Sequence, residues 1–198
     1  MHLRGALLLL KILAMQLYIF RNPASAIYPD IREFMMHPPR TWTYNATLNI
    51  PYTCKVDVAI NQSGRDIYFN QSGIYKRGIF SGIRVGHTYQ SYDLSGRPWN
   101  LMFITDYLTG YTRKQIRFAI PGKCAVIKAE RFVDTFPPNY ELLVKDSALD
   151  GPPQECLTWY QKFLNESKIK ITSKAVYNKN CFRNFTANGG NSSRSLRP

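Results

Sequence analysis

The sequence predicts an all-β protein with flanking helices, built on an eight-stranded antiparallel barrel. Short runs rich in β-branched and aromatic residues follow one another in quick succession. Turn residues separate them at roughly the 8–12-residue interval expected of an antiparallel sandwich or barrel. The runs are 41–48, 52–60, 66–69, 74–80, 83–92, 99–108, 113–120, 123–132 and 139–145. Closing eight strands into a barrel removes exposed edges and leaves a cavity for one small ligand.

A hairpin followed by a helix is predicted in the second half of the chain. Its two alternating runs flank a turn that contains Pro137 and Pro138, which is typical of a β-hairpin. After a Gly-Pro-Pro break, apolar residues recur at Leu157, Tyr160 and Leu164. These positions are i, i+3 and i+7, so they lie on one face of a helix that can pack outside the sheet.

A short helix is also predicted before the first strand. Ile31, Phe34 and Met35 share one face of a helix of one to two turns, which Pro38 and Pro39 end. We expect this helix to close one end of the barrel.

The chain is predicted to be exported. Residues 1–26 carry a basic start, an apolar run and the small residues Ala24-Ser25-Ala26, a pattern typical of a secretory signal peptide. The barrel is expected to span 27–185, and the tail 186–198 is expected to be disordered because it has almost nothing to bury. Five Asn-X-Ser/Thr sequons are expected to carry glycans: Asn45, Asn61, Asn70, Asn165 and Asn184. A sixth, at Asn191, lies near the end of the tail and is expected to stay unmodified.

Four cysteines in an exported chain predict two disulfides. Three pairings are possible for four cysteines. A helix packed beside the hairpin favours Cys124–Cys156, which leaves Cys54–Cys181. Both strand cysteines would then point outward, so Lys55 on the following position is expected to point inward.

Several motifs occur together in a recognisable order. They are Trp-Thr-Tyr-Asn-Ala-Thr from Trp42, Cys-Lys-Val-Asp-Val from Cys54, Cys-Ala-Val-Ile-Lys from Cys124, Tyr-Glu-Leu-Leu-Val-Lys-Asp-Ser from Tyr140, a helical Cys156 and Val-Tyr-Asn-Lys-Asn-Cys ending at Cys181. In this order and spacing they resemble the tick salivary lipocalins, the histamine-binding protein family. The resemblance covers nearly all of residues 27–198. It implies the same disulfide pairing and a protein of saliva that sequesters a small host mediator without catalysis.

The resemblance also implies a ligand. A biogenic amine such as histamine or serotonin is expected first, and a buried ammonium requires carboxylates. Alternation alone places either Glu141 with Leu143 and Lys145, or the intervening residues, on the inner face. In the family the matching Glu contacts histamine, which chooses Glu141. Amine-binding members also carry an Asp directly after the strand Cys, where this sequence has Ala125.

Further ligand-binding candidates follow from alternation and composition. Asp57 and Asp106 are possible inward acids, and the alternative for each is a solvated carboxylate. Trp42 is an additional candidate, although the barrel wall or bottom suits it better. A fatty-acid mediator would instead need buried cations, for which Lys55 and Arg117 are candidates together with Lys145 on the last strand.

Composition excludes little, but the motifs argue against an enzyme. A Ser81–His87–Asp93 set can be assembled only on paper, because no nucleophile-elbow pattern supports it. The histidines lack metal-ligand spacing, so neither a metal nor a cofactor is expected. The net charge of +13 permits a protein that binds anionic host surfaces, with Arg113, Lys114 and Arg117 as one basic cluster and Lys168, Lys170 and Lys174 as another. Export argues against nucleic acid as a partner, and a monomer that does not insert into membranes is expected.

Overall fold

The computed structural model describes residues 29–47, 52–76, 78–91, 99–106, 110–132, 138–167 and 172–182. The predicted signal peptide, the tail and the sequons at Asn184 and Asn191 lie outside this part of the chain. The elements are α1 (Ile31–Met36), β1 (Arg40–Ala46), β2 (Tyr52–Ser63), β3 (Asp66–Tyr75), β4 (Gly78–Tyr89), β5 (Leu101–Asp106), β6 (Gly110–Ile120), β7 (Cys124–Arg131), β8 (Asn139–Lys145), a 3-10 turn (Asp146–Ala148), α2 (Gln154–Glu166) and β9 (Lys174–Ala175).

Strands β1 to β8 form a closed antiparallel barrel. The order is β2-β3-β4-β5-β6-β7-β8-β1, and a further pairing of β1 with β2 closes the ring. Every connection between neighbours in the ring from β2 to β8 is therefore sequential, which confirms the predicted eight-stranded architecture. The prediction erred on the runs 66–69, 74–80 and 83–92, which form two long strands instead of three. Gly73 sits inside β3, where the Phe80 ring occupies the space of a side chain, so it does not end the strand.

The C-terminal segment completes one seam of the barrel. β1 pairs with β2 only over Arg40–Trp42, and β9 then pairs with the end of β1 at Asn45 and Ala46. The backbone of Val176 bridges the gap, because its carbonyl accepts from the Cys54 amide at 2.8 Å. Residues 168–172, whose alternation predicts a further surface strand, lie almost wholly outside the described residues.

The short helix α1 closes one end of the barrel, as predicted. Asp30 caps its start by accepting from the Arg32 amide at 2.8 Å. The apolar face of α1 packs on side chains from β3, β5, β6, β7 and β8, and together they form the inner cluster. Its members are Ile31, Phe34, Met35, Ile67, Phe69, Met102, Ile104, Ile116, Ala119, Ala125, Ile127 and Leu143.

Helix α2 packs on the outside of the barrel, against β6, β7 and β8. It starts directly after Pro153, as the sequence predicts. Cys156 on its buried face is bonded to Cys124, and Cys54 is bonded to Cys181, so the predicted pairing is confirmed. The outer cluster between helix and barrel includes Trp42, Val56, Phe118, Val126, Tyr140, Leu142, Val144, Tyr160 and Phe163. None of the described helices is long and apolar enough to cross a membrane.

Candidate functional site

Glu141 lies inside the barrel. It pairs with Ile127 across β7 and β8, and Ile127 and Leu143 both belong to the inner cluster. The intervening residues Tyr140 and Leu142 belong to the outer cluster. The structure therefore selects the inward arrangement that alternation alone left open. Glu141 is only 2% exposed.

Two lysines neutralise this buried carboxylate. The Lys114 ammonium donates to Glu141 Oε2 at 2.9 Å, and Lys55 Nζ lies 3.8 Å from Oε1. All three side chains are buried, so the ion pairs form where water cannot screen them. Lys55 also lies 5.9 Å from the centre of the Tyr52 ring. Glu141 is thus already engaged by cations that belong to the protein.

Lys55 and Asp57 point inward from β2, as alternation predicts. Asp57 pairs with Thr41 across β1 and β2, and Thr41 pairs with Lys145 on the far side of β1. The three side chains lie in one row near α1 and are all buried. Asp57 and Lys145 are close enough for their charges to interact.

Lys145 lies at the end of the barrel that α1 closes, and its described contacts are with that end and not with Glu141. Its ammonium donates to the Pro38 carbonyl at 2.5 Å and to Thr41 Oγ1 at 2.7 Å. It also lies 4.5 Å from the centre of the Phe34 ring of α1. Burial lowers the pKa of Lys145 to about 7, and the charges of Asp146 and Asp57 oppose that shift. These contacts tie the last strand to the segment that follows α1.

Two predicted ligand contacts, Arg117 and Trp42, lie outside the barrel interior. Arg117 is exposed on the outside, with its guanidinium 5.3 Å from the centre of the Phe163 ring, so its predicted inward placement is wrong. The cause is a bulge in β6 between Ile116 and Phe118, which resets the alternation. Trp42 belongs to the outer cluster, and its indole N–H donates to Asp146 Oδ1 at 2.6 Å.

A further candidate, Asp106, ends β5 and pairs with Gly110. Its side chain lies outside the described part of the structure. Its contact with a ligand stays a prediction, as does the contact of Glu141, Asp57 and Lys55.

Sequence reasoning missed two cations on the inner face. Lys114 was assigned to a basic surface cluster, yet it is buried and pairs with Glu141, whereas its neighbour Arg113 points outward to Glu130. The predicted cluster is therefore split between the two faces of β6. Arg84 pairs with Phe69 of the inner cluster, so it shares that face. Counting back along β6 in steps of two from Ile116 would have placed Lys114 on the inner face.

Ser81 and His87 of the Ser81–His87–Asp93 set have other partners in the structure. His87 Nδ1 lies 2.8 Å from Asp66, while Ser81 Oγ lies within hydrogen-bond distance of Ser72 and Asn70. Asp93 falls outside the described residues. Within the described residues, no three His, Cys, Asp or Glu side chains lie close enough to hold a metal ion.

The described part of the interior joins an apolar surface to several charged side chains. In the described part of the chain, the cations that face inward outnumber the carboxylates. The cations are Lys55, Arg84, Lys114 and Lys145, and the carboxylates are Asp57 and Glu141. Lys174 of β9 adds a half-buried cation at the seam, where it pairs with Ala46 of β1. Such an interior suits a ligand with an apolar body and an acidic group.

Comparison with known proteins supports the fold. No protein-family model matches the chain, and no curated protein matches it. Among solved structures, Japanin from Rhipicephalus appendiculatus bound to cholesterol is similar, with a TM-score of 0.50, 8% identity, and coverage of 76% of this chain and 99% of that one. Apocrustacyanin C2 gives a TM-score of 0.50 at 12% identity, covering 83% of this chain and 97% of that one. These likenesses, together with the closed barrel, show that the chain has the eight-stranded lipocalin fold that its sequence predicts.

Proposed function

We propose that this chain is a secreted lipocalin of the tick salivary type that sequesters one small acidic, largely apolar host mediator. A fatty-acid-derived mediator has this chemistry. Capture would be stoichiometric, with no turnover. The observation that carries the proposal is the pairing of Glu141 with Lys114 and Lys55 inside the barrel.

The charge balance favours an anionic ligand over an amine. An incoming ammonium would have to compete with two lysines for Glu141, and it would add positive charge beside cations that, among the described residues, outnumber the carboxylates. A ligand carboxylate could instead accept from Lys55 or Lys114. Hydrogen bonds to charged groups contribute about 1.5–3 kcal/mol each. Ala125 supports the same conclusion. It is buried in the inner cluster at the position where amine-binding members of the family carry an Asp, so that carboxylate is missing here.

The apolar part of the ligand would lie against the inner cluster. Phe69, Met102 and Ile104 contribute to an inner cluster in which most members are buried to within a few per cent. Japanin, whose structure contains cholesterol, supports an apolar occupant for a barrel of this shape. Two disulfides and a signal-like start support export.

Calorimetry with matched probes tests the proposal. We expect arachidonic acid to bind with one site per chain and its methyl ester, which lacks the charge, to bind at least tenfold more weakly. Lys114→Met should weaken acid binding by about 10- to 150-fold, the equivalent of one charge-assisted hydrogen bond. Lys128→Met is the control, since Lys128 lies on the outer face of β7 beside Glu130.

The same experiment separates the other hypotheses. Tight binding of histamine or serotonin, lost in Glu141→Gln, would contradict the acidic ligand and favour the amine. Equal affinity for the acid and its methyl ester would also contradict it. A dissociation constant for arachidonic acid that rises steeply with the salt concentration would favour a protein that binds anionic host surfaces. Salt screens exposed charges much more than buried ones.

A further inference from the structure

A polar groove lies on the outer face of the barrel wall, the face opposite to the one that carries the inner lysines. It runs between α2 and the end of β1, with a volume of about 840 Å³. That volume falls in the range of about 300–1,000 Å³ typical of small-molecule sites. The wall on α2 includes Gln154, Leu157, Thr158, Gln161, Lys162 and Glu166. Amides, a hydroxyl and a charged pair beside one apolar side chain are groups suited to a sugar, which offers many hydroxyls and a small apolar face.

A chain of hydrogen bonds forms the floor of this groove. The Tyr160 hydroxyl lies 2.9 Å from Ser173 Oγ, and Asn45 Nδ2 donates to the same Ser173 oxygen at 3.4 Å. Burial raises the pKa of Tyr160 to about 12, so its hydroxyl stays protonated at neutral pH. The half-buried Asn45 amide is therefore held at the floor and faces the groove.

Two asparagines of N-glycosylation sequons line this one groove. Asn45 begins Asn-Ala-Thr on the floor, and Asn165 begins Asn-Glu-Ser in the last turn of α2. Asn165 is exposed, and its side-chain oxygen accepts from Gln161 at 3.1 Å. A sugar on Asn165 would leave from the rim, whereas a sugar on Asn45 would have to start from the floor.

We propose that the groove seats the first sugars of an N-linked glycan carried by Asn45. This inference rests on the proposed export of the chain and is independent of the ligand. During export a lipid-pyrophosphate-linked oligosaccharide is the donor. The C1–N bond to Asn45 Nδ2 forms as the C1–O bond to the pyrophosphate breaks, and the amide loses one proton. The remaining N–H can still donate to Ser173.

The modification has to precede folding. In the folded chain Thr47 Oγ1 lies 2.6 Å from Asn139 Oδ1 and accepts from the Tyr140 amide at 2.8 Å, so the sequon hydroxyl is engaged. Once the barrel closes, the attached sugar lies between β1 and α2. It replaces water along the groove wall and links the helix to the strand.

Deglycosylation of the exported wild-type protein tests the proposal. The protein is made in a eukaryotic secretory host and treated with peptide-N-glycosidase, and each site is followed by the conversion of Asn to Asp in mass spectra. In the native protein we expect release from Asn45 to be at least tenfold slower than from Asn165. After reduction and denaturation the two rates should be equal. An unoccupied Asn45, or equal rates in the native protein, would overturn the proposal.

Thermal unfolding gives a second readout. Asn45→Gln should lower the Tm of the protein from the eukaryotic host and leave the Tm of refolded bacterial protein unchanged. Asn165→Gln is the matched control and should change neither. A loss of Tm in the bacterial Asn45→Gln protein equal to that in the eukaryotic one would assign the effect to the amide and contradict a seated glycan. Binding of arachidonic acid should be the same in all these variants, so the two proposals can fail separately.

Discussion

Neutralising Glu141 should destabilise the whole barrel. In Glu141→Gln, the ammonium of Lys114 loses a carboxylate oxygen at 2.9 Å and that of Lys55 loses one at 3.8 Å, yet both remain buried. Removing one partner of a buried ion pair costs about 3–5 kcal/mol, because the remaining charge stays desolvated. We therefore expect the free energy of unfolding to fall by about 3–5 kcal/mol.

Urea denaturation followed by tryptophan fluorescence measures this loss. With a slope of about 2 kcal/mol/M, the midpoint should fall by roughly 1.5–2.5 M. Glu130→Gln is the matched control. Glu130 also pairs with two cations, Arg113 and Lys128, but it lies on the outer face with its side chain 29% exposed. Its replacement should cost less than about 1 kcal/mol, as is usual for surface pairs.

A double variant separates the charge from the packing. Lys114→Met combined with Glu141→Leu removes both ends of the shorter pair and fills the space with apolar groups. Such replacements are often neutral or stabilising, so the double variant should be at least about 2 kcal/mol more stable than Glu141→Gln. If Glu141→Gln costs no more than Glu130→Gln, or if the double variant recovers nothing, the buried ion pairs do not have the energetic role argued here.

Three other predictions concern Lys145 at the α1 end of the barrel and two features of the outer wall, the Cys124–Cys156 disulfide and Trp42. Because burial lowers the pKa of Lys145 to about 7, the unfolded chain binds more protons above that pH, so the urea midpoint of the wild type relative to Lys145→Met should rise between pH 7 and pH 9; a flat or falling difference would contradict this. Replacing Cys124 and Cys156 together by alanine should lower the free energy of unfolding by about 2–5 kcal/mol in calorimetry, through the lost cross-link, and no loss of Tm would contradict it. Trp42→Phe removes the N–H bond to Asp146 and should cost about 1.5–3 kcal/mol, while leaving the affinity for arachidonic acid unchanged; weakened binding would return Trp42 to the ligand site.

Local patterns were enough to predict the architecture. Regular turn signals predicted the barrel, and the helical spacing around Tyr160 predicted α2. The disulfide pairing followed from packing that helix beside the hairpin, which also set the outward direction of Cys124. Alternation could not by itself orient β8, because a shift of one residue exchanges the two faces of a strand. Only the resemblance to a family selected Glu141, and the structure places Leu143 beside it in the inner cluster.

The errors within the site arise where a strand departs from regular pleating. Alternation along β6 holds from Thr112 to Ile116, but the bulge inserts Arg117 as an extra residue on the exposed side. Phe118 then packs in the outer cluster, and Ala119 returns to the inner one. Counting in steps of two from the end of the strand therefore puts the wrong cation inside. Bulges have weak sequence signatures, so this error could not be avoided from a single sequence.

The partner of Glu141 was the hardest feature to predict, for a geometric reason. Lys145 lies on the same face of β8 as Glu141, but four residues along a strand span about 13 Å, too far for an ion pair. Neighbouring strands are only about 4.8 Å apart, so a long side chain on a nearby strand can reach where one on the same strand cannot. Lys114 reaches Glu141 in this way from β6, two strands away, although 27 residues separate them in the chain. The distinction matters for the proposed function. Because Lys114 and Lys55 already supply the counter-charges of Glu141, we propose an acidic ligand and not an amine.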